Sequence, residues 1–240
     1  MCVVTGSTGG IGRVVATDLR AEGALVVSSG RSADGPGDLH VAGDLTERGA
    51  PERLIAAAED QFGRVDCLVN NVGATSIRSL DELTDDDWQA SFELNLMSAV
   101  RATRAVLAGM RSRGAGSIVN VSSTSGKRPS AVFPDYSVMK AGMLSFSRLV
   151  ADVYAKDGIR CNAVTPGPTA TTAWLGPGGL AEQQGDRDEV LARVGAGRPL
   201  GRLAEPAEIA AVVVFLLSAR ASYVTGAAWS ADGGTVPIIL

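Results

Sequence analysis

"VVTGSTGGIG", residues 3–12, decides how this chain is read. It opens as a short apolar run, passes through glycines at 6, 9, 10 and 12, and leads into a segment with helical periodicity. Glycines at such a junction let backbone approach a pyrophosphate, and the following helix offers unpaired N–H groups and the positive end of its dipole. The spacing is G-x-x-x-G-x-G, not the more familiar G-x-G-x-x-G of dinucleotide folds. The plain alternative is an ordinary glycine-rich turn. Its position directly after the first strand favours the phosphate reading.

Working outward, short apolar runs alternate with helical stretches. "MCVVTG", "ALVVSSG", "LHVAGD", "VDCLVNN", "GSIVNVSS", "IRCNAVTPG" and "TGAAWSADGG" read as seven strands, most of them continuously apolar as strands buried on both faces must be. Helices are expected near 11–22, 50–62, 85–112, 134–157 and 205–219. This alternation predicts an α/β fold: a single Rossmann-like doubly wound domain over 1–240, with a seven-stranded parallel sheet and helices on both faces. In 85–112, Thr84 is the expected cap and Asp85, Asp86 and Asp87 complement the helix dipole, so this acidic run reads as structural. The apolar face of that helix runs Trp88, Phe92, Leu96, Ala99, Thr103, Val106, Met110, and Asn95 falls on or beside it, where a buried amide needs a partner. The Gly-, Ala- and Pro-rich stretch 166–204 is long for a loop and reads as a substrate-binding lid, with short helices expected at Leu180–Gln184 and Asp188–Val194.

Composition excludes several classes. The chain has 240 residues, 45% of them apolar, and a net charge of −4, so it is globular and carries no basic excess for nucleic acid. No apolar run approaches the roughly 18 residues of a membrane span. Met1 is not followed by a basic region and an apolar stretch, so a cytoplasmic location is expected. Cys2, Cys67 and Cys161 are far apart and read as buried thiols. His40 is the only histidine, which argues against zinc hydrolases and Ser-His-Asp enzymes; no metal site is expected.

The end of the second strand should read the adenosine ribose. An acid there would favour NAD by accepting from the 2′-hydroxyl. The stretch "VVSSGRS" has Gly30 and Arg31 and no acid. A guanidinium pairs with a 2′-phosphate, so NADP(H) is favoured and NAD(H) is the alternative.

"FPDYSVMKAG", residues 133–142, places Tyr136 and Lys140 one helical turn apart. Together with "TGSTGGIG" at 5–12, "DL" at 44–45, "NNVG" at 70–73, "NL" at 95–96, "VSS" at 121–123 and "NAVTPGPTAT" at 162–171, this series resembles the short-chain dehydrogenase/reductase family of the ordinary type. The motifs occur in family order and cover nearly the whole chain. The resemblance implies a catalytic tetrad of Asn95, Ser123, Tyr136 and Lys140, with Ser123 rather than Ser122 chosen by its thirteen-residue distance from Tyr136. Tyr136 would exchange the proton in a ketone/secondary alcohol interconversion whose hydride travels to or from nicotinamide. A cation one turn away favours phenolate and is expected to lower the phenol by ~1–3 pH units. Ser123 would hold the substrate oxygen, Lys140 the nicotinamide ribose, and Asn95 a water linking Lys140 to solvent; the plainer role for Asn95 is an amide that bonds backbone at a helix bend. The resemblance also implies cofactor contacts from Gly6, Ser7, Thr8, Gly10, Ile11, Gly12, Asp44, Leu45, Asn71, Gly73, Pro166, Gly167, Thr169 and Thr171, beside Arg31, Tyr136 and Lys140.

The function that follows is an NADP(H)-dependent ketoreductase. The alternatives are an NAD-dependent alcohol dehydrogenase of the same family and a non-catalytic dinucleotide-binding relative. "SVMK" also matches S-x-x-K of penicillin-recognising proteins, but the partner strings S-D-N and K-T-G do not occur. Enoyl reductases of the family usually space tyrosine and lysine further apart. Ile77, Pro129, Val132, Phe133, Trp174 and Leu175 are the expected walls, which suggests an apolar or cyclic substrate. The resemblance and the apolar tail "TVPIIL" together predict a homotetramer with Leu240 near an interface.

Overall fold

The computed structural model describes residues 1–237, so Leu240 lies outside the described residues. Seven strands form one sheet: β1 (Cys2–Val4), β2 (Val26–Gly30), β3 (Leu39–Ala42), β4 (Cys67–Asn70), β5 (Gly116–Val121), β6 (Ile159–Pro166) and β7 (Ala228–Ala231). Their order is β3-β2-β1-β4-β5-β6-β7 and every pairing is parallel. All seven coincide with the expected apolar runs. The order reverses direction between β1 and β4, and in such sheets the crevice at the carboxyl ends beside that reversal is where ligands bind.

Nine α-helices are found among the described residues: α1 (Gly10–Ala21), α2 (Ala50–Phe62), α3 (Asp85–Phe92), α4 (Ser98–Arg113), α5 (Thr124–Lys127), α6 (Pro134–Tyr154), α7 (Thr172–Leu175), α8 (Arg187–Ala196) and α9 (Pro206–Leu217). Local chemistry sets their ends. Pro51, Pro134 and Pro206 stand in first turns, where a missing N–H costs nothing. Gly63 and Gly114 close α2 and α4 in the left-handed conformation. Alternation along the strands builds two cores. Val3 faces a layer with Leu54, Ala102, Val106 and Val150 of α2, α4 and α6. Cys2 and Val4 face the opposite layer with Val15 and Leu19 of α1 and Ile209, Val213 and Leu216 of α9. The last three are fully buried, each contributing on the order of 1.5–3 kcal/mol.

Two elements differ from expectation. The helix expected over 85–112 is interrupted by a π turn at Glu93–Met97, with α3 before it and α4 after. Two contacts accompany it: Asn95 uses both ends of its amide on the backbone of Ala74, and locally Ser98 Oγ donates back to Leu94 O at 2.7 Å. Thr84 caps α3 as expected, accepting from Asp87 N while Asp87 accepts from Thr84 N. Within 166–204 the expected helices occur as a 3-10 turn at Glu182–Gln184 and as α8, and α7 is additional. A parallel bridge between Thr169 and Ala204 joins the two ends of this segment. His40 is structural: its ring bonds Ser28 Oγ at 2.8 Å and Ser32 O at 2.9 Å.

Arg160 on β6 fixes the far end of α9. Its guanidinium donates to the carbonyls of Leu216, Leu217, Ser218 and Val224 at 2.7–3.3 Å, taking up the orphan acceptors of the helix end. Arg160→Met should therefore lower stability by about 2–3 kcal/mol, read as an earlier urea midpoint at unchanged slope.

Candidate active site

The carboxyl ends of the strands enclose a cavity of about 720 Å³. One end is the glycine-rich turn. Gly6 and Gly10 have φ of +62° and +53°, which side-chain-bearing residues avoid. A Cβ on Gly12 would lie 2.4 Å from both Asn71 Nδ2 and Gly6 O. Asn71 is the reason for that crowding. Its amide donates to Thr5 O and Gly6 O at 3.1 and 3.0 Å, holding the turn from beneath. No side chain caps α1 at Gly9, so the first N–H groups of the helix are left for a ligand. These residues fit a dinucleotide pyrophosphate.

At the same end, Gly30 closes β2 and Arg31 follows it into the cavity wall. A Cβ on Gly30 would sit 2.5 Å from Thr8 Cγ2. A side chain at that position would have to displace the Thr8 side chain. Arg31 is exposed and has no hydrogen-bond or ion-pair partner among the described residues. Asp44 accepts from Thr46 N and Oγ1, which hold its carboxyl below the ordinary value, with Arg31 adding to the effect.

The other end gathers the chemical groups. Ser123, Tyr136 and Lys140 all line the cavity. Ser123 begins the short helix α5 and accepts from Ser125 N. Ser122, beside it in sequence, instead donates to Lys140 O at 2.8 Å. A Cβ on Gly126 would come within 2.7 Å of the same carbonyl, so α5 lies directly on α6. Lys140 is buried and donates through Nζ to Val121 O at 2.9 Å. That nitrogen lies 5.5 Å from the centre of the Tyr136 ring.

The electrostatics of this pair differ from the expectation for a lysine one turn away. Burial pushes the Tyr136 phenol up to about 12, with a hydrogen bond to Ser123 working in the other direction. Burial alone takes the Lys140 ammonium down to about 8. Loss of water disfavours both charged forms, and here it outweighs the attraction that spacing alone would suggest. The phenol is held in its protonated form.

Of the remaining expected residues, Gly6, Thr8, Gly10, Ile11, Asp44, Leu45, Asn71, Gly73, Pro166, Gly167, Thr169 and Thr171 line the cavity. Three do not. Ser7 is fully buried and turned to β2, donating to Val4 O and Ser29 O and accepting from Ser29 N. Gly12 lies under the turn. Asn95 is buried behind Gly73, where its Oδ1 accepts from Ala74 N at 3.0 Å and its Nδ2 donates to Ala74 O at 3.1 Å. A Cβ on Gly73 would meet Asn95 Oδ1 at 2.9 Å and Lys140 Nζ at 3.0 Å, so this glycine is the contact between the two. Of the expected walls, Phe133 and Trp174 line the cavity, whereas Ile77, Pro129, Val132 and Leu175 do not. Thr172, Leu180 and Gln183, in the segment expected to form the lid but not singled out there as walls, also line it.

The lysine predicts a pH signature. The unfolded chain keeps its lysine protons to about pH 10.4. The folded protein releases that of Lys140 near 8, so the unfolded state binds more protons between these values and stability rises with pH there. The stability of the wild type relative to Lys140→Met should be constant below about pH 8 and should increase from there toward about pH 10.4. Urea unfolding of both proteins across this range gives the comparison, and a flat difference would contradict the burial effect.

Known proteins resemble this chain over nearly its whole length. A family model described as Enoyl-(Acyl carrier protein) reductase matches residues 6–236. The chain is 35% identical to the 3-oxoacyl-(acyl-carrier-protein) reductase FabG of Vibrio cholerae, over 98% of this chain and 96% of that protein. It is 32% identical to D-beta-hydroxybutyrate dehydrogenase of Cupriavidus necator, over the same shares of the two chains. The L-sorbose reductase of Gluconobacter frateurii, solved with NADPH and L-sorbose, superposes with a TM-score of 0.93 at 34% identity, covering 99% of this chain and 97% of that one. The chain belongs to the short-chain dehydrogenase/reductase family, as an NAD(P)-dependent oxidoreductase acting on the CH–OH/C=O pair.

Proposed function

We propose that this protein is an NADP(H)-dependent ketoreductase with Tyr136 as its general acid. The observation that carries this is one cavity with a glycine turn and Arg31 at one end and Ser123, Tyr136 and Lys140 at the other. Nicotinamide, when bound, supplies the hydride that the side chains cannot. The protein supplies the proton and the geometry. Reduction needs an acid at the carbonyl oxygen, and a phenol kept protonated by burial is in the right form to act there. Ser123 holds the same oxygen through its hydroxyl. Lys140, fixed by Val121 O, is placed to bond the nicotinamide ribose and to return a proton toward Tyr136. Asn95 holds Ala74 and Gly73 beside that lysine, and a water on its amide would connect Lys140 to solvent. In the oxidative direction the same phenol must first lose its proton, which its raised value opposes.

Arg31, without a partner among the described residues, and a glycine in place of an acid at Gly30 both support NADP(H) over NAD(H), as does the NADPH bound by the L-sorbose reductase. The family model's description names enoyl reduction, but the four-residue interval between Tyr136 and Lys140 favours carbonyl chemistry. Apart from Arg31 and Asp44 at the phosphate end, Lys140 is the only charged residue among the described residues that line the cavity, and Phe133 and Trp174 are among its walls. This supports an uncharged, largely apolar or cyclic ketone as substrate. Segment 166–204 is read as the lid over it. Val138, Leu149 and Val153 expose apolar side chains on α6, which supports a homotetramer, and the three free thiols suit a reducing cytoplasm.

Tyr136→Phe should cut ketone reduction by about 10²–10⁴-fold while leaving NADPH affinity within a few-fold. Wild-type turnover in the variant would remove the tyrosine from the chemistry. Arg31→Ala should weaken NADPH by about tenfold or more and leave NADH nearly unchanged, measured by nicotinamide fluorescence titration. Equal losses for both cofactors would place Arg31 outside the 2′-phosphate site.

A further inference from the structure

Within the lid, Pro177, Gly178, Gly179, Leu180 and Gln183 of the strip 177–184 line the cavity. The strip is folded on itself: Gly178 N donates to Glu182 Oε2 at 2.7 Å, and Gln183 Nε2 donates to Gly178 O at 2.8 Å. Leu180 and Ala181 anchor it on one side by burial. Across the cavity stands the loop that follows β4, with Ala74 and Thr75 in the wall. Among the described residues, one hydrogen bond crosses from the strip to this loop. Ile77 N donates to Gln183 Oε1 at 3.1 Å. Gln183 also lines the cavity, so the bond lies at its edge and not on a remote surface.

We propose that Gln183 is a positioning residue that latches the lid to the Ile77 amide, and that ligand release waits on this latch. A single neutral hydrogen bond suits such a role. It is strong enough to bias the closed form several-fold and weak enough to open on every turnover. Closed, it keeps bulk water from the space where the Tyr136 proton is delivered. The amide is matched to its two partners: one oxygen to accept from Ile77, and one N–H to give to Gly178 O. Release of cofactor as the readout rests on the function proposed above; the latch itself does not.

The test uses two variants of the full chain. Gln183→Met keeps the length and loses the acceptor. Gln183→Glu, ionised above about pH 5, keeps an oxygen to accept from Ile77 and loses the donor to Gly178 O. Hydrogen exchange of the Ile77 amide is followed without ligand, and NADPH dissociation by stopped-flow fluorescence. In Gln183→Met both rates should rise by about 3–10-fold at an unchanged melting midpoint. In Gln183→Glu, which keeps the acceptor for Ile77, Ile77 exchange and NADPH dissociation should both be slower than in Gln183→Met. Unchanged Ile77 exchange in Gln183→Met overturns the proposal. So does faster exchange with unchanged dissociation, which would leave Gln183 a local tie only. So does a Gln183→Glu protein whose Ile77 amide exchanges as fast as that of Gln183→Met. Failure of the wild type to bind NADPH at all would count against the cofactor reading, while the Ile77 exchange rate would still decide whether the latch exists.

Discussion

The hydrogen bond from Lys140 Nζ to Val121 O ties the chemistry to the sheet. It brings a buried ammonium to the carboxyl end of β5, and Ser122 secures the same residue by its carbonyl. A charge placed there without partners would be prohibitively costly, so its neighbours have little freedom. Gly126 must lack a side chain for α5 to reach Lys140, and Gly73 must lack one for the loop after β4 to pass between Lys140 and Asn95. Tyr136 and Ser123 then have their positions set by the ends of α6 and β5. Tyr136, Ser123 and Lys140 are thus placed by one clamp.

Sequence and structure divide the information unequally. The glycine turn, the seven strands and the Tyr136–Lys140 pair were legible because each is a local pattern, fixed by a period or a short spacing. Ser123 was separable from Ser122 by its distance from Tyr136, and the structure turns the two hydroxyls to different partners. What was not legible depends on long-range packing. Gln183 meets Ile77 across 106 residues, and nothing local marks either of them. Ile77, Pro129, Val132 and Leu175 were apolar residues in the right loops, but composition does not say which way a loop turns its side chains. The effect of Lys140 on Tyr136 was misjudged for the same reason: spacing shows proximity, while burial, which decides the sign, belongs to the assembled fold.

The phosphate end follows a different logic from the chemical end. That end is marked by what is missing. Thr8 crowds the space beside Gly30, so a side chain there would have to displace the Thr8 side chain. Arg31 is the first residue beyond the strand with reach into the cavity, and it arrives uncommitted. Gly9 has an extended backbone that any residue could adopt, and only Thr172 Oγ1, at 4.0 Å, comes near its absent Cβ. The cradle is tight at Gly6, Gly12 and Gly30 and open at Gly9.

The π turn at Glu93–Met97 has a consequence for how this part of the chain can change length. A π turn carries one residue more than the α-helical turn it replaces, so it works as a phase joint between α3 and α4. Removing a single residue there would leave a continuous, unstrained helix. Because the widened turn already absorbs the extra residue, α3 and α4 would keep nearly their present orientation. The helix itself would register no fault, yet the Asn95 amide would leave Ala74. Insertions and deletions in this region are therefore constrained by the loop across the cavity and not by the helix in which they would occur.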